Sequence, residues 1–489
     1  MEKNEGKMSM SMRKTWCILL GLTSAAVLLS GCGGKEKSVL DPKNPVTITM
    51  WNNYTGAQQD AFNDLVEEFN ENRGKELGVY VKASSEGSVT DVEQYVLEAA
   101  EKKVGARELP NIFTAYSDTV YNVDQMGLIE DLSPYFTDEE KEEYVEGYLQ
   151  EGMFGKDGEL KIFPVAKATE VFVLNTTDWD KFAQATGASK EDLSTLEGVV
   201  KTAKAYYEWT DSLTPEEGDG KAFYGRDSMA NYMIIGAAQL GHPIYEKAED
   251  GQVQSHLEEE TARKLWDSYY VPYINGYFTA AGRFRSDDMK TGALISFAGS
   301  SAGTTFFPEE VFLNDEESYP IELEILPVPG FEGGTGCAVQ QGAGMAVTKG
   351  TEAEIAGSVE FLKWFTDTEQ NVRFSVESGY LPVKKEANDM ELIKKSLDGN
   401  EMTIRTMEVA IETILDYGTA YPLAMDNAGT VRNLLEYSMS DKAAADREAV
   451  IASMEKGASR EEAVAAFDTD ENFRQWYTEF CGKLEEALK

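Results

Sequence analysis

Histidine is almost missing from this 489-residue chain, which holds only His242 and His256. Cysteine is scarce as well, with four residues and no CxxC pair. Zinc chemistry and dithiol redox chemistry therefore have almost no side chains to work with. Cys17 and Cys32 fall in an N-terminal apolar region, which leaves Cys337 and Cys481 for the folded body. That number excludes a disulfide framework, while a single bridge between these two stays open. Positive charge is also in deficit: 45 Lys and Arg stand against 86 Asp and Glu, for a formal charge of -41. Such a surface repels nucleic acid and bare anionic lipid. The acidic residues are spread along the chain, so they read as a solvated, mutually repelling exterior. The apolar run Trp16–Leu29 is shorter than the roughly 20 residues a membrane-crossing helix needs.

That run follows Arg13 and Lys14 and ends in Leu29-Ser30-Gly31-Cys32, with Gly33, Gly34, Lys35, Glu36 and Lys37 next. A basic pair, an apolar stretch and small residues before a cysteine resemble a bacterial lipobox. The resemblance implies a cleaved signal peptide over residues 1–31 and a diacylated Cys32 as the new N-terminus. Two or more acyl chains give stable anchoring where one does not. Residues 32–45, with glycine, lysine, serine and two prolines, read as a tether. Met8, Met10 and Met12 lie upstream of the basic pair, and a later start leaves the motif intact.

The remaining chain, about 450 residues, is too long for one ordinary core, and two large α/β lobes are expected. Aromatics at 11% argue against disorder. Val46-Thr47-Ile48-Thr49-Met50-Trp51 alternates as a strand, and Phe62, Leu65, Val66 and Phe69 follow at helical spacing. Val79–Ala83 is a second strand, a helix begins near Asp91, and Ile112–Ala115 is a third. This βαβαβ rhythm predicts a largely parallel sheet under helices. Ligands in such sheets bind beyond the carboxyl ends of the strands. Trp51-Asn52-Asn53-Tyr54, Ser84-Ser85-Glu86-Gly87 and Tyr116-Ser117-Asp118 stand there, all polar or aromatic. Further on, Gly158–Ala166 is a strand-like run containing a proline, Ala293–Ala298 is a strand, Leu326–Gly330 is a crossing segment, and Met345–Val347 is a strand followed by a helix from about Glu352 to Thr366.

Four stretches now resemble one family. Gly158 to Asn175, Gly292 to Gly303, Gln341 to Val347 and Ala356 to Val383 are similar to segments of the family 1 extracellular solute-binding proteins, the receptors of bacterial ABC importers for sugars and related solutes. The most specific is AGSVEFLKWFTDTEQNVRFSVESGYLPV, residues 356–383. The resemblance implies a two-lobed periplasmic-binding-protein-like fold of type II, maltose-binding-protein-like, with the ligand cleft between the lobes. It places residues 46–164 and 323–370 in the first lobe and 165–322 and 371–489 in the second. Trp51 and Tyr54 would then stack on a sugar ring, and Ser84, Ser85, Tyr116 and Ser117 would hydrogen-bond hydroxyls. Glu170 would accept from two hydroxyls at once, and Gly299, Ser300 and Ser301 would offer backbone and hydroxyl groups. Gly342 and Gly344 would allow close backbone approach, and Tyr380 would cover the site. For single positions, tight turns explain the glycines and core packing explains Trp51 and Tyr380 equally well.

The implied partners are a sugar or polyol, ABC permease subunits, and a membrane touched only through the lipid, with the protein a monomer on the outer face of the bacterial cytoplasmic membrane. No cofactor or metal is implied. A glycerol-phosphate or other polar solute is the alternative ligand. Relatives that take glycerol 3-phosphate place a basic residue near a segment resembling Tyr421–Asn427, whereas no Arg or Lys stands between Arg405 and Arg432 here. Arg226, Arg283 or Arg285 are the remaining candidates for an anion.

Other chemistries fit less well. Gly299-Ser300-Ser301-Ala302-Gly303 matches G-x-S-x-G and would make Ser301 a hydrolase nucleophile, yet both histidines precede it. Asp468, Asp470, Asn472 and Glu479 have the spacing of a calcium loop, but Phe473 stands where glycine is needed. A helix from Asp470 burying Phe473, Trp476, Tyr477 and Phe480 explains these residues more simply. A carboxylate-based glycosidase has no motif behind it, and a surface adhesin gains nothing from the family stretches.

Overall fold

The computed structural model describes residues 39–154, 158–248, 253–397 and 400–489. The expected signal peptide, Cys32 and the first part of the expected tether lie outside them. The alternating segment Val46–Asn52 pairs in parallel with Val79–Ser85 and with Ile112–Ala115, so that Trp51 lies opposite both Ser84 and Phe113. Gly344–Val347 adds a fourth strand antiparallel to Ile112–Ala115, so the sheet is largely parallel as the βαβαβ rhythm predicts, with this late strand running against the rest. The helix Ala57–Glu71 buries Phe62, Leu65, Val66 and Phe69 on one stripe. The helix Val89–Ala100 starts at a Ser88–Asp91 capping box and buries Val92, Val96 and Ala99.

The second sheet runs in the order Leu323–Pro327, Glu170–Asn175, Ser296–Ser300, Tyr224–Arg226. Every residue of Glu170–Asn175 is buried, which a strand covered on both faces requires. Its alternation sends Phe172 and Leu174 into an aromatic helical cluster and Val171 and Val173 into the core on the other face. The helices Met229–Gln239, Glu259–Ile274, Ala428–Met454 and Asp470–Ala487 supply that cluster, in which Trp266 stacks on Tyr270 at 3.6 Å between centroids.

Two segments sit on the opposite side of the expected lobe boundaries. Leu323–Pro327 pairs residue for residue with Glu170–Asn175 and so extends the second sheet, although residues 323–370 read as first lobe. The helix Thr368–Ser378 packs on Ala57–Glu71 and buries Phe374 beside Phe62 and Phe365, which puts it with the first sheet although the second lobe was expected to resume at 371. Alternation along a strand and a stripe along a helix state that a face is buried, not against what.

The crossings between the sheets are short and tied together. Lys167 bridges Leu381 and Ala168 bridges Gln341, while Cys337–Val339 pairs in parallel with Gly418–Ala420. The run Gly158–Ala166 forms only single bridges, Met153 to Leu160 and Phe163 to Met345, instead of a continuous strand. Pro164, with no N–H to donate, stands inside it. Glu151 forms a buried ion pair with Lys167 and also accepts from Gln340, and Lys167 Nζ donates to the Gly342 carbonyl at 3.0 Å. Cys337 and Cys481 are free thiols, which closes the question of a bridge between them. No helix among the described residues is long and apolar enough to cross a membrane.

Candidate functional site

Strand register puts Asn52, Ser85, Ala115 and Gly344 at one end of the first sheet and Glu170, Arg226, Ser300 and Pro327 at one end of the second. The crossing segments join these ends, so the loops beyond them face one another. Ser117 Oγ donates to the Pro422 carbonyl at 3.2 Å and links a first-lobe helix start to the segment entering Ala428–Met454.

On the first-lobe side, several expected binding residues are absorbed by packing. Trp51 is buried, and the Arg107 guanidinium lies 4.1 Å over its ring. Arg107 is held by Glu86 through two hydrogen bonds of 2.9 and 2.8 Å. Tyr54 sits among Phe62, Phe374 and Tyr380 at 5.1, 5.2 and 6.4 Å, and burial pushes its phenol pKa well up. Ser84 Oγ donates to Glu86, and Ser85 Oγ donates to the Tyr54 carbonyl. Tyr380 is half-buried, its ring parallel to that of Phe374. Tyr116 adjoins it and remains exposed at 36%. The Tyr116 N–H donates to Glu93 at 3.4 Å. Burial and the charge of Asp118 push the Glu93 carboxyl up to about 7, while Arg432 from the second lobe pulls the other way.

On the second-lobe side, Glu170 is already engaged: Arg226 holds one carboxylate oxygen and Asn231 the other, the latter at 3.0 Å. The two hydroxyls expected on it are replaced by protein donors. Gly299 has a packing reason, since a Cβ there would lie 2.5 Å from Asp227 Oδ2. Ser301 is buried. Its N–H donates to the Thr169 carbonyl at 2.8 Å, and its hydroxyl accepts from the Thr169 N–H at 3.3 Å. A hydroxyl tied in this way, with no histidine bonded to it, is not an activated nucleophile. Gly342 has φ of 96° and would place a Cβ 2.7 Å from the Ala166 carbonyl, and Gly344 would place one 2.2 Å from Ile162 Cγ2. Both glycines let the crossing segments approach each other.

Of the expected set, Ser300 and Glu170 line an open cavity of about 420 Å³ at the end of the second sheet. Its other walls include Asp227, Ser228, Gln341, Phe284, Phe306 and Phe307, none of them anticipated. Phe284 and Phe306 are 49% and 66% exposed. Gln341 Oε1 is buried and has no hydrogen-bond partner among the described residues, an acceptor that a ligand donor would satisfy. Asp227 directly follows Tyr224–Arg226, and the rule that located the first-lobe loops would have found it. A three-residue strand is too short for alternation to show. No sequence pattern marks Phe284 or Phe306.

Two α/β sheets joined by short crossings, with facing loop ends and a cavity at the end of the second, define a two-lobed binding fold. The chain belongs to the bacterial extracellular solute-binding protein family, whose model matches residues 64–398. Solved structures share the fold. The cyclic alpha-maltosyl-1,6-maltose binding protein of Arthrobacter globiformis is 19% identical with a TM-score of 0.67, over 91% of this chain and 99% of that one. UgpB of Mycobacterium tuberculosis, in complex with glycerophosphocholine, is 18% identical with a TM-score of 0.64, over 91% and 100%. The Thermus thermophilus maltotriose binding protein is 15% identical with a TM-score of 0.58, over 90% and 100%. No functionally curated protein matches the chain by sequence.

Proposed function

We propose that this protein is the extracytoplasmic receptor of an ABC importer, closing its lobes around a carbohydrate-like solute and presenting the closed form to the permease. The observation that carries the reading is the mixed lining of the cavity: exposed rings of Phe284 and Phe306 beside the acceptors Asp227, Ser300 and Gln341. A pyranose has the matching surface, with apolar C–H faces for aromatic rings and hydroxyl edges for acceptors. In this reading Tyr116, exposed, and Tyr380, half-buried, would meet the other side of the solute from the first lobe. Closure then follows from contacts that only the closed arrangement makes with both lobes. Of the solved structures that share the fold, one is a cyclic alpha-maltosyl-1,6-maltose binding protein and another is bound with maltotriose, which supports the same solute class.

The chemistry of the arginines speaks against phosphate as the group held by Arg226 or Arg285. Arg226 is paired with Glu170, and Arg285 with Asp288 at 2.8 Å. The buried, backbone-tied Ser301 speaks against ester hydrolysis. In this reading Cys32 carries the lipid that holds a monomeric receptor beside its permease and raises its local concentration there. Titration calorimetry against mono- to tetrasaccharides, polyols and glycerol phosphates tests the solute class. Binding of a sugar or polyol without turnover is the expected result; no binding, or hydrolysis of a glycoside or ester, would overturn it.

A further inference from the structure

We propose that the cavity at the end of the second sheet takes a protonated amine, held by Asp227 beside the rings of Phe284 and Phe306, so that the receptor selects an amine-bearing carbohydrate over its neutral counterpart. The inference rests on the reading that this cleft is the solute site.

Among the charged groups that line the cavity and their ion-pair partners, carboxylates outnumber cations by one. Glu170 is matched by Arg226, Asp287 by Lys290 at 3.7 Å, and Asp288 by Arg285 at 2.8 Å. Asp227 has only a share of Arg285, the closer partner of Asp288. Its Oδ1 accepts the Arg285 backbone N–H at 2.7 Å and lies 3.8 Å from Arg285 Nε, whose guanidinium is already committed to Asp288. Its Oδ2 accepts no hydrogen bond among the described residues. One negative charge therefore remains on a partly buried carboxylate that lines an aromatic wall.

Three further features agree. Gly299 leaves room for this carboxylate, since any Cβ there would press on Oδ2. Burial, with Glu170 and Asp288 adding to it and Arg285 opposing, raises the Asp227 carboxyl to about 6, so a cation brought into the cavity would relieve a charge the site holds at a cost. Phe284 already supports a cation: exposed Arg283, outside the cavity lining, lies 5.2 Å from its ring centre. An ammonium supplies the hydrogen-bond donor that Oδ2 lacks and the positive charge that an aromatic face attracts, and a hydroxyl supplies only the first.

The test uses the full-length chain and calorimetry against matched saccharides, each amine-bearing member paired with its N-acetylated form and its hydroxyl parent, at about pH 7 where glucosamine-type amines are largely protonated and Asp227 is ionised. The amine form is expected to bind about tenfold more tightly than either partner. Asp227→Asn keeps the shape and the Arg285 contact, and is expected to bring the three forms to within about twofold. Its unfolding temperature, measured alongside, separates loss of preference from loss of fold. In the wild type, lowering the pH from about 7 to about 5 is expected to erode the preference as Asp227 protonates, leaving affinity for the N-acetylated form unchanged. Equal binding of all three forms by the wild type, or a preference that survives in Asp227→Asn, would overturn the inference while leaving the receptor reading intact. Failure of every saccharide to bind the wild type is a different result, and it would remove the carbohydrate reading together with this inference.

Discussion

At the cleft end of the first sheet, Trp51 is 7% exposed under Arg107 and Tyr54 is enclosed by Phe62, Phe374 and Tyr380. At the matching end of the second sheet, Phe284 and Phe306 stand open beside Asp227 and Ser300. The first lobe thus buries Trp51 and Tyr54 at this end, while the second leaves two aromatic residues exposed. In the first, the helix Thr368–Ser378 returns late in the chain and covers the loop after Val46–Asn52, turning a candidate stacking platform into core. In the second, the loops carrying Phe284 and Phe306 have no such cover. Position at the end of a strand locates a site, but which rings remain free is settled by whatever distant segment packs over them.

Substitutions can break this contrast at several levels. The largest effect is expected from Arg226→Leu, which strands Glu170 as an uncompensated buried charge and should cost about 3–5 kcal/mol in urea unfolding. Wild-type stability in that variant would show the pair to be dispensable. Trp51→Ala removes a buried ring and should cost about 3 kcal/mol, while solute affinity stays within about twofold; a large loss of affinity at unchanged stability would restore Trp51 to the binding surface. Phe306→Ala should do the reverse, changing stability by less than about 0.5 kcal/mol and weakening solute binding about tenfold in calorimetry.

The smallest effect concerns Glu93, where the lobes meet. Its folded pKa of about 7 lies above the ordinary carboxyl value, so the folded protein binds the extra proton and the group's contribution to stability declines as pH rises through the range between those two values. The urea midpoint of the wild type should therefore lose more between about pH 5 and pH 8 than that of Glu93→Gln. Identical pH profiles would show that Glu93 is not protonated preferentially in the folded state.

Much of the first sheet was legible because its strands and helices alternate in sequence with clear periods of two and 3.6. Val46–Asn52, Val79–Ser85 and Ile112–Ala115 lie close to where the pattern put them. The candidate site was legible only in part. Glu170 and Ser300 do line the cavity, but the carboxylate of Glu170 serves Arg226 and Asn231, partners 56 and 61 positions away in the chain. Asp227 was within reach of the strand-end rule and was hidden by the brevity of its strand.

The amino-acid sequence by itself determined the elements, the acidic exterior, the poverty of thiol and histidine chemistry, and the resemblance to solute-binding receptors, because composition and local periodicity are properties of neighbouring residues. Tertiary structure alone decided that Leu323–Pro327 would complete the second sheet, that Thr368–Ser378 would bury Tyr54, and that Asp227 would be left without a full partner. Each of those outcomes depends on which groups compete for the same space and the same charge, and the competitors are far apart along the chain.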